Sequence, residues 1–155
     1  MSEGILGIHH VTGICGDAKA NHDFYAGLLG MRRVKKTVNF DDSSAYHLYY
    51  GDERGHPGTI LTFFAYPNGR EGRKGTGQAS SVALAIPKGT FGFWEDRMKA
   101  AGISTRRHQR FHEEALQFDD HDGTAIELVE SAIHETKPWG GNGVPEDKAI
   151  VGIHG

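Results

Sequence analysis

The chain has 155 residues, a length that fits one domain or two small modules sharing a core. Its formal net charge is −3, without the basic excess that is typical of nucleic-acid-binding proteins, so we expect no nucleic-acid partner. Its apolar runs are much shorter than the roughly 20 residues that cross a bilayer, so we expect no membrane partner. Cys15 is the one cysteine, which excludes an internal disulfide, and with no signal-peptide pattern at residues 1–4 we expect a cytoplasmic location.

The first half of the chain predicts the element order β, α, β, β, β. Alternating β-branched residues over 7–14 indicate an opening strand. Asp17 is a favourable N-cap for a helix that runs to Leu29 and stops at Gly30. Three further strands are predicted at 31–40, 45–50 and 59–66, with polar connections between them.

The second half repeats this order after a Gly- and Arg-rich connection at 67–77. It predicts one helix at 90–101, stopped by Gly102, and strands at 79–86, 103–107, 114–118 and 124–129. His9–Thr12 aligns with Ser80–Ala83, and Gly58–Phe63 aligns with Gly123–Leu128. We therefore predict an α+β fold of two βαβββ modules, 5–66 and 78–131, each of marginal stability alone.

The last segment, 132–155, predicts a linker followed by the start of a third module. Residues 137–145 are rich in Gly and Pro, as linkers are. The final residues, 151–155, then repeat the pattern of residues 6–10. Because a strand that begins and stops there would leave apolar residues without partners, we expect the chain to be the N-terminal half of a longer protein.

Several motifs together resemble a known family. A histidine-bearing strand at 7–14 precedes a helix that ends Phe24-Tyr25-Ala26-Gly27-Leu28-Leu29-Gly30, and V-K-K-T-V-N-F-D and Y-H-L-Y follow at 34–41 and 46–49. The first two features resemble the vicinal oxygen chelate superfamily, which includes glyoxalases, extradiol dioxygenases, and fosfomycin- and bleomycin-resistance proteins. The last two are most similar to ring-cleaving dioxygenases of the hydroquinone and chlorohydroquinone type. The resemblance implies paired modules curled into a mixed sheet around a divalent metal, in a protein about twice this length.

The resemblance also implies a metal site. In the ring-cleaving subgroup, Fe(II) is held by a His of the first module with a His and a Glu of the fourth; Zn, Ni or Mn are alternatives. His10 matches the first of these ligands. The repeat places Thr62, Ser81 and Glu127 at equivalent inner positions, and of these only Glu127 is a good ligand. We predict His10 and Glu127 as metal ligands, with the others supplied by a missing half or a partner chain.

Each candidate has a simpler interpretation. His10 could be a half-buried strand histidine bonded to a carbonyl group, and Glu127 could bond to Ser81 or to an arginine. His9 is a weaker ligand candidate, since it faces the other side of the strand. His47, in a Tyr-rich strand, is the candidate catalytic acid–base residue, and its alternative is a hydrogen bond to a neighbouring Tyr.

The functional hypothesis is an Fe(II)-dependent, extradiol-type ring-cleaving dioxygenase, or the N-terminal half of one. Its substrates would be a hydroquinone- or catechol-like aromatic and O2, which makes the full-length protein an oxidoreductase of aromatic degradation. Two alternatives remain open: a glyoxalase-like lyase or isomerase using Zn or Ni, and a metal-free small-molecule binding or resistance protein. A homodimer is expected, because exposed sheet edges and an unfilled cup face favour pairing.

Overall fold

The structure is a computed structural model that describes residues 4, 5, 7–70, 72–132 and 137–155. Position 6 of the predicted first module, position 71 of the connection and positions 133–136 of the tail lie outside the described residues. None of the helices in the described ranges is long and apolar enough to cross a membrane. In chain order the elements are β1 (His10–Cys15), α1 (Ala18–His22, continuing as a π-helical segment, Asp23–Leu28), β2 (Arg32–Val38), β3 (Tyr46–Gly51), β4 (Ile60–Ala65), β5 (Val82–Pro87), α2 (Phe91–Ala100), β6 (Arg106–Arg110), β7 (Glu113–Asp119), β8 (Ala125–Ser131), a 3-10 turn (Glu146–Lys148) and β9 (Gly152–Ile153).

The elements form two mixed sheets, which confirms the predicted α+β fold. The first sheet has the order β1-β4-β3-β2, and the second has the order β6-β7-β8-β5-β9. In each, the first strand of the module pairs in parallel with the last strand, and the other module strands pair antiparallel. Neither sheet closes into a barrel, so each keeps edge strands.

The helix α1 begins as the sequence predicts but ends differently. The Asp17 side chain accepts a hydrogen bond from the Ala20 backbone N–H at 2.7 Å, which satisfies one of the free donors at the helix start. From Asp23 the helix widens, and the Leu29 N–H bonds the Phe24 carbonyl five residues back at 2.9 Å. This π-helical segment places Phe24 and Tyr25 in the core, a change of geometry that apolar spacing alone does not reveal.

One hydrophobic core joins both modules. It lies between the two helices and the inner faces of the two sheets, and it includes fully buried side chains from both halves: Tyr25, Leu29, Leu48, Trp94, Met98, Leu116 and Leu128. Because these side chains contact across the module boundary, neither half could bury them alone.

The helix α2 ends in a Schellman motif that displaces the following strand. Gly102, at φ +73°, lets the Ile103 N–H reach the Met98 carbonyl at 2.9 Å, and Ile103 packs against the core. Ile103 is therefore part of the helix cap. The strand predicted at 103–107 begins only at Arg106 and ends at Arg110.

The described part of the tail packs against both modules. The Trp94 indole N–H donates to the Lys148 carbonyl at 3.1 Å, and Ala149, Ile150 and Val151 are buried. β9 then pairs antiparallel with the outer edge of β5, with Leu84 opposite Ile153.

Candidate functional site

The first sheet has one face directed away from the hydrophobic core, which we call the first cup face. Its side chains come from alternate positions of β1, β4 and β3, which the strand register brings onto one side: His10, Thr12, Ile14, Ile60, Thr62, Phe64, Tyr49 and His47. The opposite side of β1 carries Val11 and Cys15, which pack into the core. Burial of that apolar side fixes the register, so His10 faces the cup.

His10 is solvent-exposed at the start of β1. Its Nδ1 atom lies 3.0 Å from Nδ1 of His9, so one ring donates and the other accepts a hydrogen. Among the described residues nothing bonds the Nε2 atom of His10. That nitrogen is therefore available to a ligand on the first cup face.

His47 lies on the same face with one unpaired nitrogen. Its Nδ1 atom is 2.8 Å from the Tyr49 hydroxyl, and its ring packs on Phe64 at a centroid distance of 4.0 Å. Its Nε2 atom is buried and has no hydrogen-bond partner in the described structure. Burial, followed by the positive charges of Lys35 and His10, lowers the pKa of His47, so the neutral imidazole is favoured.

His10 and His47 occupy different levels of the cup. His10 is paired with Ile60 at the start of β4, whereas His47 is paired with Phe64 four residues further along. Between them, the Thr62 hydroxyl donates to the Thr12 hydroxyl at 2.8 Å, and Thr62 is buried. The two threonines therefore satisfy each other, as expected of poor metal ligands.

Glu127 lies on the corresponding face of the second sheet and is only 6% exposed. Its Oε2 atom is 2.9 Å from Nε of Arg110, an ion pair without a well-aligned hydrogen bond, and its Oε1 atom is 3.5 Å from Nε2 of His108. These contacts match the alternative interpretation in which an arginine compensates the carboxylate. No contact in the described structure joins Glu127 to His10, which belongs to the other sheet.

A hydrogen bond also involves a carboxylate on the same side of the second sheet. Nε2 of His154, just after β9, is 2.7 Å from the carboxylate of Glu113 on β7. With the Arg110–Glu127 pair, it gives both carboxylates on this face a partner within the chain. Sequence reasoning missed Arg110 and Glu113 because their partners come from strands whose register is not readable from the chain.

One cluster has the atoms for a metal site but uses them for folding. Asp120, His121 and Asp122 each place a ligand atom within 4.8 Å of the others. The Asp120 carboxylate accepts from the buried Tyr25 hydroxyl at 2.9 Å, and Asp122 accepts from the Gly16 N–H at 3.2 Å. The cluster therefore connects the β7–β8 turn to the first module.

One imidazole of the first cup face fits a transition metal. His10 offers an exposed Nε2 atom of the kind that Fe, Zn and Ni accept, whereas His47 lies at a different level with its Nε2 atom buried, so the face supplies one donor where a catalytic iron site has three protein ligands. The corresponding face of the second sheet, which we call the second cup face, fits less well, because Arg110 already pairs with the carboxylate of Glu127 there. Of the predicted ligands, His10 is therefore the better placed.

Comparison with known proteins identifies a family. The family model described as "Glyoxalase/Bleomycin resistance protein/Dioxygenase superfamily" matches residues 7–128. A curated relative, "Putative ring-cleaving dioxygenase MhqO" of Bacillus subtilis (strain 168), is 44% identical over 155 residues, covering 100% of this chain and 50% of the relative. "Chlorohydroquinone/hydroquinone 1,2-dioxygenase" of Sphingobium indicum is 35% identical over 159 residues, covering 99% and 50%. The chain thus spans about half the length of these relatives.

Solved structures agree with the fold. A crystal structure described as a "putative dioxygenase" from Bacillus subtilis subsp. subtilis str. 168 superposes with a TM-score of 0.95 at 44% identity, covering 99% of this chain and 50% of that one. A glyoxalase family protein from Enterococcus faecalis has a TM-score of 0.62 at 20% identity, covering 81% and 98%, which supports the fold alone.

Proposed function

The chain belongs to the Glyoxalase/Bleomycin resistance protein/Dioxygenase superfamily, and from this premise we propose that it is a metal-dependent ring-cleaving dioxygenase, or the N-terminal half of one. We propose Fe(II) as the metal, with Zn, Ni or Mn as alternatives, and an extradiol-type reaction of O2 with hydroquinone- or catechol-like aromatics. The names of the relatives, which include a hydroquinone dioxygenase, support this substrate class.

The observation that carries the proposal is the exposed His10 on the first cup face. Its Nε2 atom has no partner in the described structure, and the cup beside it is lined by aromatic and aliphatic side chains such as Phe64 and Ile60. An apolar cup with a few convergent polar groups is the usual form of a small-molecule site. Glu127 stays a weaker candidate ligand, because metal binding there would require displacement of Arg110.

The residues of the chain would take distinct roles. Fe(II) would supply Lewis acidity towards the aromatic hydroxyl groups and redox chemistry towards O2. His10 would hold the metal through Nε2. His47, with Nδ1 directed to the Tyr49 hydroxyl, would accept a proton from a substrate hydroxyl at Nε2, because burial keeps its imidazole neutral.

The ligand set is incomplete within the described chain, so we propose that the remaining ligands come from a missing half or from a second copy in a homodimer. The chain spans about half of its curated relatives, which agrees with either source. A cytoplasmic location belongs to the same proposal and is supported by the single cysteine, Cys15, which is free and buried.

Oxygen consumption tests the proposed function. The Fe(II)-loaded chain should consume O2 with hydroquinone, His10→Ala should abolish this, and His47→Gln should lower kcat by about 10²–10⁴-fold, the usual contribution of a general base. The matched control is His112→Ala, which removes an exposed histidine in the turn before β7. Equal rates in wild type and His10→Ala would refute the proposal, and no consumption by the loaded wild type would refute the version in which a second copy of this chain completes the site.

A second candidate function is a metal-free binding protein. It is favoured because two of the ligand-equivalent positions already have partners within the chain: Thr62 bonds Thr12, and Glu127 pairs with Arg110. This alternative expects an aromatic diol to bind the metal-free chain in equilibrium dialysis, with the same affinity after His10→Ala. A requirement for metal in that measurement would exclude it. A glyoxalase-like lyase stays a prediction without a specific structural observation.

A further inference from the structure

We propose that Lys35 makes the first cup face selective for aromatic diols that carry an anionic substituent such as a carboxylate. Lys35 lies on β2, the edge strand opposite β1 in the first sheet. The inference deepens the proposed function, on which it rests for the aromatic-diol part of the ligand. The preference for an anion is argued from strand register, side-chain contacts and charge.

A β-bulge turns Lys35 towards the first cup face. Arg33 is opposite Tyr50 on β3 and Lys35 is opposite Tyr49, so two steps along β2 correspond to one step along β3. In a regular strand, Arg33 and Lys35 would share a face, because side chains alternate. Tyr50 is fully buried in the core, whereas Tyr49 belongs to the first cup face. The bulge therefore separates the two cations and directs Lys35 to the cup.

Two glycines make room for Val34, the extra residue of the bulge. A Cβ atom at Gly55 would lie 2.8 Å from Cγ1 of Val34, and one at Gly51 would lie 3.3 Å from Cγ2. The Val34 side chain thus occupies space that a larger residue at either position would fill, and this packing fixes the place of the bulge. Bulges occur often beside functional sites, where they redirect a side chain.

Lys35 contacts the aromatic part of the first cup face. Its Nζ atom lies 5.5 Å from the centre of the Tyr49 ring, and the Tyr49 hydroxyl is 2.8 Å from Nδ1 of His47. The His47 ring in turn packs on Phe64 at a centroid distance of 4.0 Å. The ammonium group therefore lies at one end of a row of three rings, a surface against which a flat aromatic ligand packs well.

No carboxylate on the first cup face compensates Lys35. The side chains that make up this face are His, Thr, Ile, Phe and Tyr residues, without an Asp or a Glu. No ion pair involves Lys35 in the described structure, where its ammonium group contacts the Tyr49 ring. A carboxylate on an aromatic ligand would give Lys35 an ion-pair partner while the ring of the ligand packs on the aromatic row.

The second cup face shows the compensated form of the same arrangement. By strand register, Arg106 occupies the position that corresponds to Lys35, and its guanidinium donates to the Gln117 side chain at 2.6 Å. The same face carries Glu127, which is paired with Arg110. Cations on the second cup face therefore have partners within the chain, so the anion preference is expected at the first cup face.

Equilibrium dialysis of the metal-free chain with two matched probes tests this preference. The probes are gentisate, a hydroquinone that carries one carboxylate, and its neutral amide. Wild type should bind gentisate about twofold to fivefold more tightly than the amide, as expected of one exposed ion pair. Lys35→Met should lose the preference, and Lys35→Arg should keep it because the positive charge is preserved. Lys36→Met is the matched control, since Lys36 lies opposite Leu48 on the core side, and it should keep the preference.

A glycine substitution tests the role of the bulge. Gly55→Ala should displace Val34 and lower the preference for gentisate, because Lys35 would no longer be directed to the cup. Gly89→Ala is the matched control: both glycines have positive φ, +70° and +79°, but a Cβ at Gly89 would meet no atom within 4 Å. Circular dichroism would verify that both variants are folded. An unchanged preference in folded Gly55→Ala would contradict the role of the bulge.

The outcomes separate this inference from the proposed function. Equal binding of the two probes by wild type, no binding of either, or a preference that survives Lys35→Met would overturn the inference. A preference that depends on Lys35, in a chain whose Fe(II)-loaded form consumes no O2, would retain the anion preference and count against the proposed function. Consumption of O2 with hydroquinone, together with equal binding of the two probes, would retain the proposed function and overturn the anion preference.

Discussion

The buried carboxylate of Glu127 requires a positive partner, and Arg110 supplies it from two strands away. His10, at the corresponding end of the first module, keeps its Nε2 atom free and exposed. The two cup faces therefore differ in chemistry, since one is compensated within the chain and the other is open to a ligand. This difference explains why His10 is a better candidate ligand than Glu127.

The Arg110–Glu127 pair predicts a specific coupling. Arg110→Met should lower the free energy of unfolding by about 3 kcal/mol, because it leaves a buried carboxylate unpaired. The double variant Arg110→Met/Glu127→Leu should recover most of this loss, since replacing both charges by apolar groups is often neutral. Urea unfolding of the two single variants and the double variant measures the coupling. Additive losses would show that the two side chains do not interact.

Asp52 predicts a stability that depends on pH. Burial raises the pKa of this carboxyl, but the His56 ring at 2.6 Å and the N–H groups of Arg54, Gly55 and His56 lower it more, so the net pKa is lowered. A lowered pKa stabilises the folded state above the ordinary aspartate value, and this contribution is lost as the pH falls through the folded-state value.

Asp52→Asn should therefore cost about 1–3 kcal/mol at pH 7, with the difference from wild type shrinking below about pH 4. Urea unfolding over a pH series measures this difference, and Asp41→Asn, at an exposed turn position, should change little. A cost for Asp52→Asn that stays constant in acid would contradict this explanation.

Among the elements, α2 connects the two modules through Arg97. Its guanidinium donates to the Leu28 carbonyl at 2.7 Å and the Gly27 carbonyl at 3.1 Å, at the end of α1, and to the Asn142 carbonyl at 2.6 Å in the tail. Arg97→Met should lower the free energy of unfolding by about 2–3 kcal/mol, because these carbonyls lose a charged donor. Lys99→Met, at an exposed position of the same helix, should change it little. Equal effects of the two variants in urea unfolding would contradict this role.

The segment after α1 also packs against the tail, and substitutions at two glycines test this contact. Gly30 and Gly102 both follow helices with φ near +70°, but only at Gly30 would a Cβ meet neighbours, 2.6 Å from Cγ2 of Val144 and 2.8 Å from the Gly141 carbonyl. Gly102→Ala should cost about 1 kcal/mol for backbone conformation alone. Gly30→Ala should cost at least 1 kcal/mol more, because it also overpacks the tail contact. Equal losses on thermal unfolding would show that the tail does not pack there.

The order of elements could be predicted because each strand and helix carries its own periodicity and the modules repeat. What the sequence could not supply depends on contacts between distant segments. Ile103 looks like the start of a strand, but its N–H completes the cap of α2. The segment before His154 looks like a linker, but β9 pairs with β5. The candidate site shows the same contrast between local patterns and distant contacts. The local sequence motif predicted His10, whereas the Arg110–Glu127 pair depends on the register of three strands and could not be predicted.

At the scale of the whole molecule, two open sheets share one core and leave the first cup face exposed. The chain spans about half the length of its curated relatives, and under the proposed function it would provide only part of a metal-ligand set. The candidate ligand His10 lies at the start of β1, which is an edge strand of the first sheet. His10 is therefore exposed on an open sheet face, at the position where the family resemblance implies a metal ligand.

Anaerobic titration with Fe(II) tests the central claim, that His10 binds the metal on the first cup face. The bound iron would be measured after desalting for wild type, His10→Ala and the surface control His112→Ala. We expect a defined amount of iron per chain in wild type and in His112→Ala, with loss of that iron in His10→Ala. Equal iron in wild type and His10→Ala, or no iron in any of the three, would contradict it.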